Sequence, residues 1–99
     1  MEDGEDTAGK KELYSFKLFI SGMSVKSVRA IENLNCICDT YLTNRFKVDI
    51  IDITENQELA VQYQIFAIPT LIKTGPDPVR TLVGDLSDKE KVLKILEIA

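Results

Sequence analysis

The chain has 99 residues, enough for one domain whose core needs neither disulfide nor metal. Apolar residues make up 44%, no apolar run approaches the roughly 18 needed to span a bilayer, and the acidic start lacks the apolar stretch of a signal peptide, so a cytoplasmic globular protein is expected. The formal charge of -4 gathers in residues 1–12, which hold five of the sixteen acids and two of the twelve bases; with no basic stripe and no histidine, nucleic-acid binding and imidazole chemistry are both excluded.

Residues 1–12, MEDGEDTAGKKE, have the composition of a disordered acidic tail. The folded unit is expected over 13–99. A first strand is predicted over 13–21, with Leu18 and Ile20 on one face and Lys17 and Phe19 on the other. Gly22 breaks it, and Ser24 is placed to cap a helix over 25–42. Val28, Ile31, Leu34, Cys38, Tyr41 and Leu42 recur at steps of three or four and make its buried stripe, while Lys26, Arg29, Glu32 and Asp39 fall outside it.

Residues 46–53 are dense in β-branched side chains and read as a second strand, parallel to the first through a right-handed crossover. Asn56 or Thr54 can cap a short helix over 57–63, with Leu59, Ala60 and Tyr63 facing inward. Strands follow over 70–73 and 79–83, joined by a turn that Pro76 and Pro78 stiffen. After Gly84, Ser87 and Glu90 form a capping box for a last helix over 88–98. The order is βαβαββα.

That order, with Ile68-Pro69-Thr70 entering the third strand, resembles a thioredoxin-like unit. The resemblance implies a cis-proline at Pro69 facing the start of the first helix, where thioredoxins carry a reactive cysteine. Here that window reads Ser24-Val25-Lys26-Ser27. A serine hydroxyl is too weak an acid for helix-end electrostatics to ionise, and it forms no disulfide. Cys36 and Cys38 lie two apart within the helix and point to different faces, so they pair neither with each other nor around a metal. Asp49 and Asp52 sit three apart in a strand, on opposite faces, and read as solvated charges. No cofactor is expected. An oxidoreductase relying on Cys36 or Cys38, and a glutathione-binding domain using Ser24 and Pro69, are the alternatives that the thioredoxin likeness leaves open.

Three segments narrow the likeness: KLFISGMSVKSVRAIENL at 17–34, DIIDITENQELAVQYQIFAIPTLIK at 49–73 and PDPVRTLVGDLSDKEKVL at 76–93. Together they resemble the KaiB family, and the third is not a generic thioredoxin feature. The resemblance implies a non-enzymatic protein-binding module of circadian clock or stress signalling. Such modules dock on the ring of a KaiC-like hexameric P-loop ATPase, and a KaiA-like protein and a competing sensor histidine kinase of the SasA type are further partners. It also implies fold switching between a thioredoxin-like monomer and a βαββααβ ground state that forms a dimer or tetramer.

From the family match, the docking surface is expected at Lys26, Arg29, Gln57, Ala60, Tyr63, Gln64 and Ile68. The structural or switch positions are expected at Gly22, Pro69, Gly84, Asp85 and Ile95. Clock members commonly carry glycine where Ile95 stands, and isoleucine there favours a regular final helix.

Overall fold

The protein is described here by a computed structural model covering residues 13–98. Phe16, Leu18 and Ile20 alternate with Lys17 and Phe19 along β1 (Tyr14–Ile20), so this strand presents apolar groups to both sides. It runs parallel to β2 (Phe46–Asp52) on one side and antiparallel to β3 (Thr70–Gly75) on the other. The hairpin partner of β3 is β4 (Arg80–Val83), giving a sheet of order β2-β1-β3-β4. Helix α1 (Val25–Tyr41) joins β1 to β2, α2 (Gln57–Gln62) joins β2 to β3, and α3 (Lys89–Leu96) closes the chain. This is the predicted βαβαββα order, and the Ile68–Pro69 bond is cis. Expectations placed on residues 1–12 lie outside the described residues.

The two faces of the sheet are covered unequally. One face carries Phe16, Leu18, Ile20, Leu71 and Leu82, buried with Ala30, Leu34, Ile37 and Cys38 of α1 and Val92 and Leu96 of α3. The other face buries only Phe19, Ile51 and Ile72, with Leu59, Tyr63, Ile65 and Ile68 partly covered around them. Helix α2 has six residues and none of them is buried.

Several local expectations change in the structure. The buried face of α1 runs through Ser27, Ala30, Leu34, Ile37 and Cys38, whereas Val28 and Ile31 are only half-buried. Small Ser27 and Ala30 sit inside because the helix approaches the sheet there, which an apolar count overlooks. The cap of α3 is Asp88, whose carboxylate accepts from the Lys91 N–H at 3.2 Å; Ser87 instead donates its N–H to Asp85 Oδ1 at 3.1 Å. Asn56 occupies the α2 cap position without a side-chain cap bond, because its amide donates to the Asp52 carbonyl.

Lys73, whose charge alone would place it on the surface, is buried, with its ammonium 5.6 Å from the centre of the Tyr14 ring. Its position in β3 opposite Phe16 directs it onto the covered face. Ile95 lies within α3 and packs against the main core, as the reading of a regular final helix requires.

Candidate functional site

The ends of β1, β2 and β4 and the start of β3 meet at one end of the sheet, and the chain there is held by short polar side chains. Ser24 Oγ accepts the Ser27 N–H, which caps α1. The Ser24 hydroxyl donates to Ser27 Oγ at 2.8 Å, and Ser27 Oγ also accepts the Ser21 N–H. The four-residue window that carries thiols in redox relatives of this fold is thus a closed serine network. With no histidine in the chain, neither hydroxyl has an imidazole to take its proton.

The two thiols are elsewhere. Cys38 is fully buried in the core, and desolvation, aided by the negative charge of Asp39, raises its pKa to about 12. Cys36 is exposed on the middle of α1, away from its N-terminus. Among the described residues no group of histidine, cysteine, aspartate and glutamate could hold a metal ion.

Asp52 organises this end more than its reading as a solvated strand-end charge implied. Its Oδ1 accepts from the N–H of Gly22 at 3.2 Å, the N–H of Thr54 at 2.9 Å and the Thr54 hydroxyl at 2.7 Å. The loop after β1 and the loop after β2 are tied to one carboxylate. The bonds from Thr54, then that from Gly22, hold its pKa below the ordinary carboxylate value. Gly22 itself lies at φ 55°, in the left-handed region.

The expected docking residues fall into two groups. Lys26 and Arg29 are exposed on the first turns of α1, close enough to Asp85 for their charges to act on it. Asp85 is lowered first by its hydrogen bonds from Ser87 and then by Arg29 and Lys26. Its carbonyl accepts from the Asn33 side chain at 2.8 Å, which pins the loop after β4 onto α1. Gly84 precedes it at φ 125°, a backbone that side chains rarely adopt, and its N–H donates to the Pro69 carbonyl at 2.9 Å. Lys26, Arg29, Gly84 and Asp85 therefore form one polar cluster on the α1 side.

Gln57, Ala60, Tyr63, Gln64 and Ile68 belong to α2 and the loop after it, which cover the opposite face. Gln57 and Gln64 are exposed and Ala60 is half-buried. Tyr63 and Ile68 are partly buried packing residues: the Tyr63 ring lies 5.5 Å from that of Phe19, with the Lys17 ammonium 5.9 Å from its centre. Gln64 ends the helix at φ 56°; its N–H bonds to the Val61 carbonyl and the Ile65 N–H to the Ala60 carbonyl, a Schellman closure made without glycine.

Two residues absent from the sequence-based set dominate this surface. Phe66 is 92% exposed and Val61 78%, and with Ala60, Gln64 and Ile65 they line an apolar hollow. Phe66 follows the left-handed Gln64, where the chain leaves the helix outward. The sequence held one signal for it: an aromatic residue in a loop, four positions after α2 ends and outside the apolar spacing of any element.

The architecture is a thioredoxin-like fold with Ser24 and Ser27 at the start of its first helix. Solved structures with this fold include the N-terminal domain of Synechococcus elongatus SasA, with a TM-score of 0.69 and 21% identity over 88% of this chain and 86% of that one. Chloroplastic thioredoxin z aligns with a TM-score of 0.68 and 19% identity over 90% and 82% of the two chains.

Sequence comparison narrows the class further. The KaiB domain model matches residues 17–98. The circadian clock oscillator protein KaiB of Acaryochloris marina is 41% identical over 88 residues, 89% of this chain and 85% of that protein. The protein of the same name from Picosynechococcus is 42% identical over the same shares. The chain belongs to the KaiB family.

Proposed function

We propose that the protein is a non-enzymatic docking module of the cytoplasm that binds the ring of a KaiC-like hexameric P-loop ATPase and so regulates clock or stress signalling. The observation that carries this reading is the exposed apolar pair Val61 and Phe66 beside Gln57, Ala60 and Gln64, on a helix that contributes no fully buried residue to the fold. An exposed aromatic rimmed by polar amides is what the centre of a protein interface requires. Lys26 and Arg29 supply positive charge at the start of α1, where they would steer an acidic surface of the ring.

The same thin packing supports exchange between two folds: the half after β2 leaves few buried groups on the α2 face, so a rearranged half forfeits little there. A KaiA-like protein and a SasA-type sensor kinase are the further partners of this reading, as recruit and competitor. In the fold described here the module is taken to act as a monomer on the ring, the dimer or tetramer belonging to the alternative fold.

The test is a calorimetric titration of the host's KaiC-like ATPase, loaded with ADP, with the wild-type protein and two variants. Phe66→Ala is expected to weaken binding at least about tenfold, and Arg29→Glu by a smaller factor. Full affinity in both variants, each folded by circular dichroism, would remove this surface from the interaction.

A further inference from the structure

Two of the most exposed apolar side chains lie outside the α2 surface. Met23 is 76% exposed and Val25 68%, and they stand two residues apart where the chain passes from β1 into α1. Neither belongs to a core face, since the buried side of α1 runs through Ser27, Ala30 and Leu34. A single exposed apolar residue needs no explanation, but two together in one turn, beside cations, make a patch.

The turn that carries them is held from both sides. The Gly22 N–H, one residue before Met23, donates to Asp52 Oδ1 at 3.2 Å. Ser27 Oγ accepts the Ser21 N–H at 3.2 Å and the Ser24 hydroxyl at 2.8 Å, and the Ser27 N–H closes the cap on Ser24 Oγ. The apolar side chains between these bonds are presented on a fixed backbone. A patch presented in this way gives up little further freedom on binding.

Charge tells what the patch faces. Arg29 lies four residues after Val25 and three after Lys26 on α1, so it neighbours both on the outer side of the first turns. The ion pairs among the described residues, Lys17 with Asp49 and Arg80 with Glu97, engage neither Lys26 nor Arg29. Asp85 is the carboxylate on which these two cations act, and it balances one charge of the two. The patch is apolar at Met23 and Val25 and positive beside them.

We infer that Met23 and Val25 form a second, smaller apolar anchor of the docking surface, which takes an apolar side chain flanked by carboxylates on the partner. The inference rests on the docking reading above and deepens it: the start of α1 grips an acidic, apolar segment of the ring as well as steering it. Asp52 links this anchor to the α2 surface, because its Oδ1 accepts from Gly22 ahead of Met23 and from Thr54 ahead of α2. One carboxylate thus ties the two loops that lead to the two anchors, and a partner held at one meets the other at a set spacing.

Calorimetric titration of the host's ADP-loaded KaiC-like ATPase, at low and high salt, tests this. A variant carrying both Met23→Ser and Val25→Ser is expected to bind about tenfold more weakly, by the same factor at either salt, because it loses apolar contact. Val25→Glu is expected to bind about tenfold more weakly than Val25→Lys at low salt, with the gap narrowing at high salt. Circular dichroism checks that each variant is folded, and Phe66→Ala is titrated beside them. Weakened binding by Phe66→Ala with full affinity in the double variant overturns this inference and leaves the α2 reading standing; the reverse pattern keeps this anchor and removes that one. Equal affinities for Val25→Glu and Val25→Lys overturn the acidic partner segment. A wild type that does not bind the ring overturns both readings.

Discussion

The two faces of the sheet solve different problems. Beneath α1 and α3, Phe16, Leu18, Leu34, Leu71 and Leu96 are sealed from water, and even the polar Ser27 and Lys73 are enclosed. Beneath α2, Phe19, Ile51 and Ile72 are covered by a helix that keeps no residue fully buried, while Val61 and Phe66 face outward. Burial scales with apolar area removed from water, so the first face holds most of the folding free energy. The second keeps apolar area in reserve. The lesson of the contrast is that a small α/β domain can separate stability from recognition by placing them on opposite sides of four strands.

The largest effect should come from breaking the covered face. Leu34→Ala is expected to cost about 3 kcal/mol or more, read as a lowered urea midpoint, because α1 cannot collapse into the void beside Leu18. The same measurement on Val61→Ala or Phe66→Ala should move stability by no more than about 0.5 kcal/mol. A large loss in either would show that the α2 face is structural and would dissolve the comparison.

A pH experiment sharpens the same contrast. Cys38 is held protonated in the folded state with a pKa of about 12, while an unfolded thiol titrates near ~8.5. Its contribution is complete below the unfolded value and is lost as pH rises through the window toward the folded one, at a slope on the order of 1 kcal/mol per pH unit. The stability difference between wild type and Cys38→Ala should therefore shrink above about pH 9. At neutral pH a thiol-titrating reagent should count one reactive cysteine, Cys36.

A smaller gain is expected at the thin face. Gln64→Gly relieves a left-handed residue at the end of α2 and should raise stability by about 0.5 kcal/mol. Asp52→Asn works in the opposite direction. The carboxylate is lowered by its bonds in the fold, so its contribution exists above the ordinary aspartate range and fades as pH falls through the folded value. The variant should be less stable at neutral pH, and its deficit should close in acid.

Most of the architecture was legible in the residues because period and punctuation agreed. The alternation around Leu18, the helical spacing from Leu34 to Cys38 and the Gly22, Pro69 and Gly84 boundaries each point to the element that forms. The departures share a physical cause: they concern side chains whose role depends on distant neighbours. Lys73 reads as surface until β1 places Tyr14 over it, and Asp52 reads as solvated until the loop after β1 brings Gly22 to it.

Of the candidate surface, the burial of single residues was legible in part: Gln57 and Gln64 are exposed, and Ala60 and Tyr63, read as facing inward, are half-buried, with Tyr63 and Ile68 packed beside Phe19 and Ile72. The exposure of Phe66 is not legible in hydrophobic patterning, which assigns an aromatic residue to the core by default; it follows the left-handed exit at Gln64.

The most direct test of this division is hydrogen exchange, recorded on the free protein and on its complex with the KaiC-like ring. The account predicts slow exchange in β1 and α1 of the free protein and rapid exchange in α2, with protection on binding concentrated in residues 57–68. Protection appearing in α3, with residues 57–68 unchanged, would contradict it.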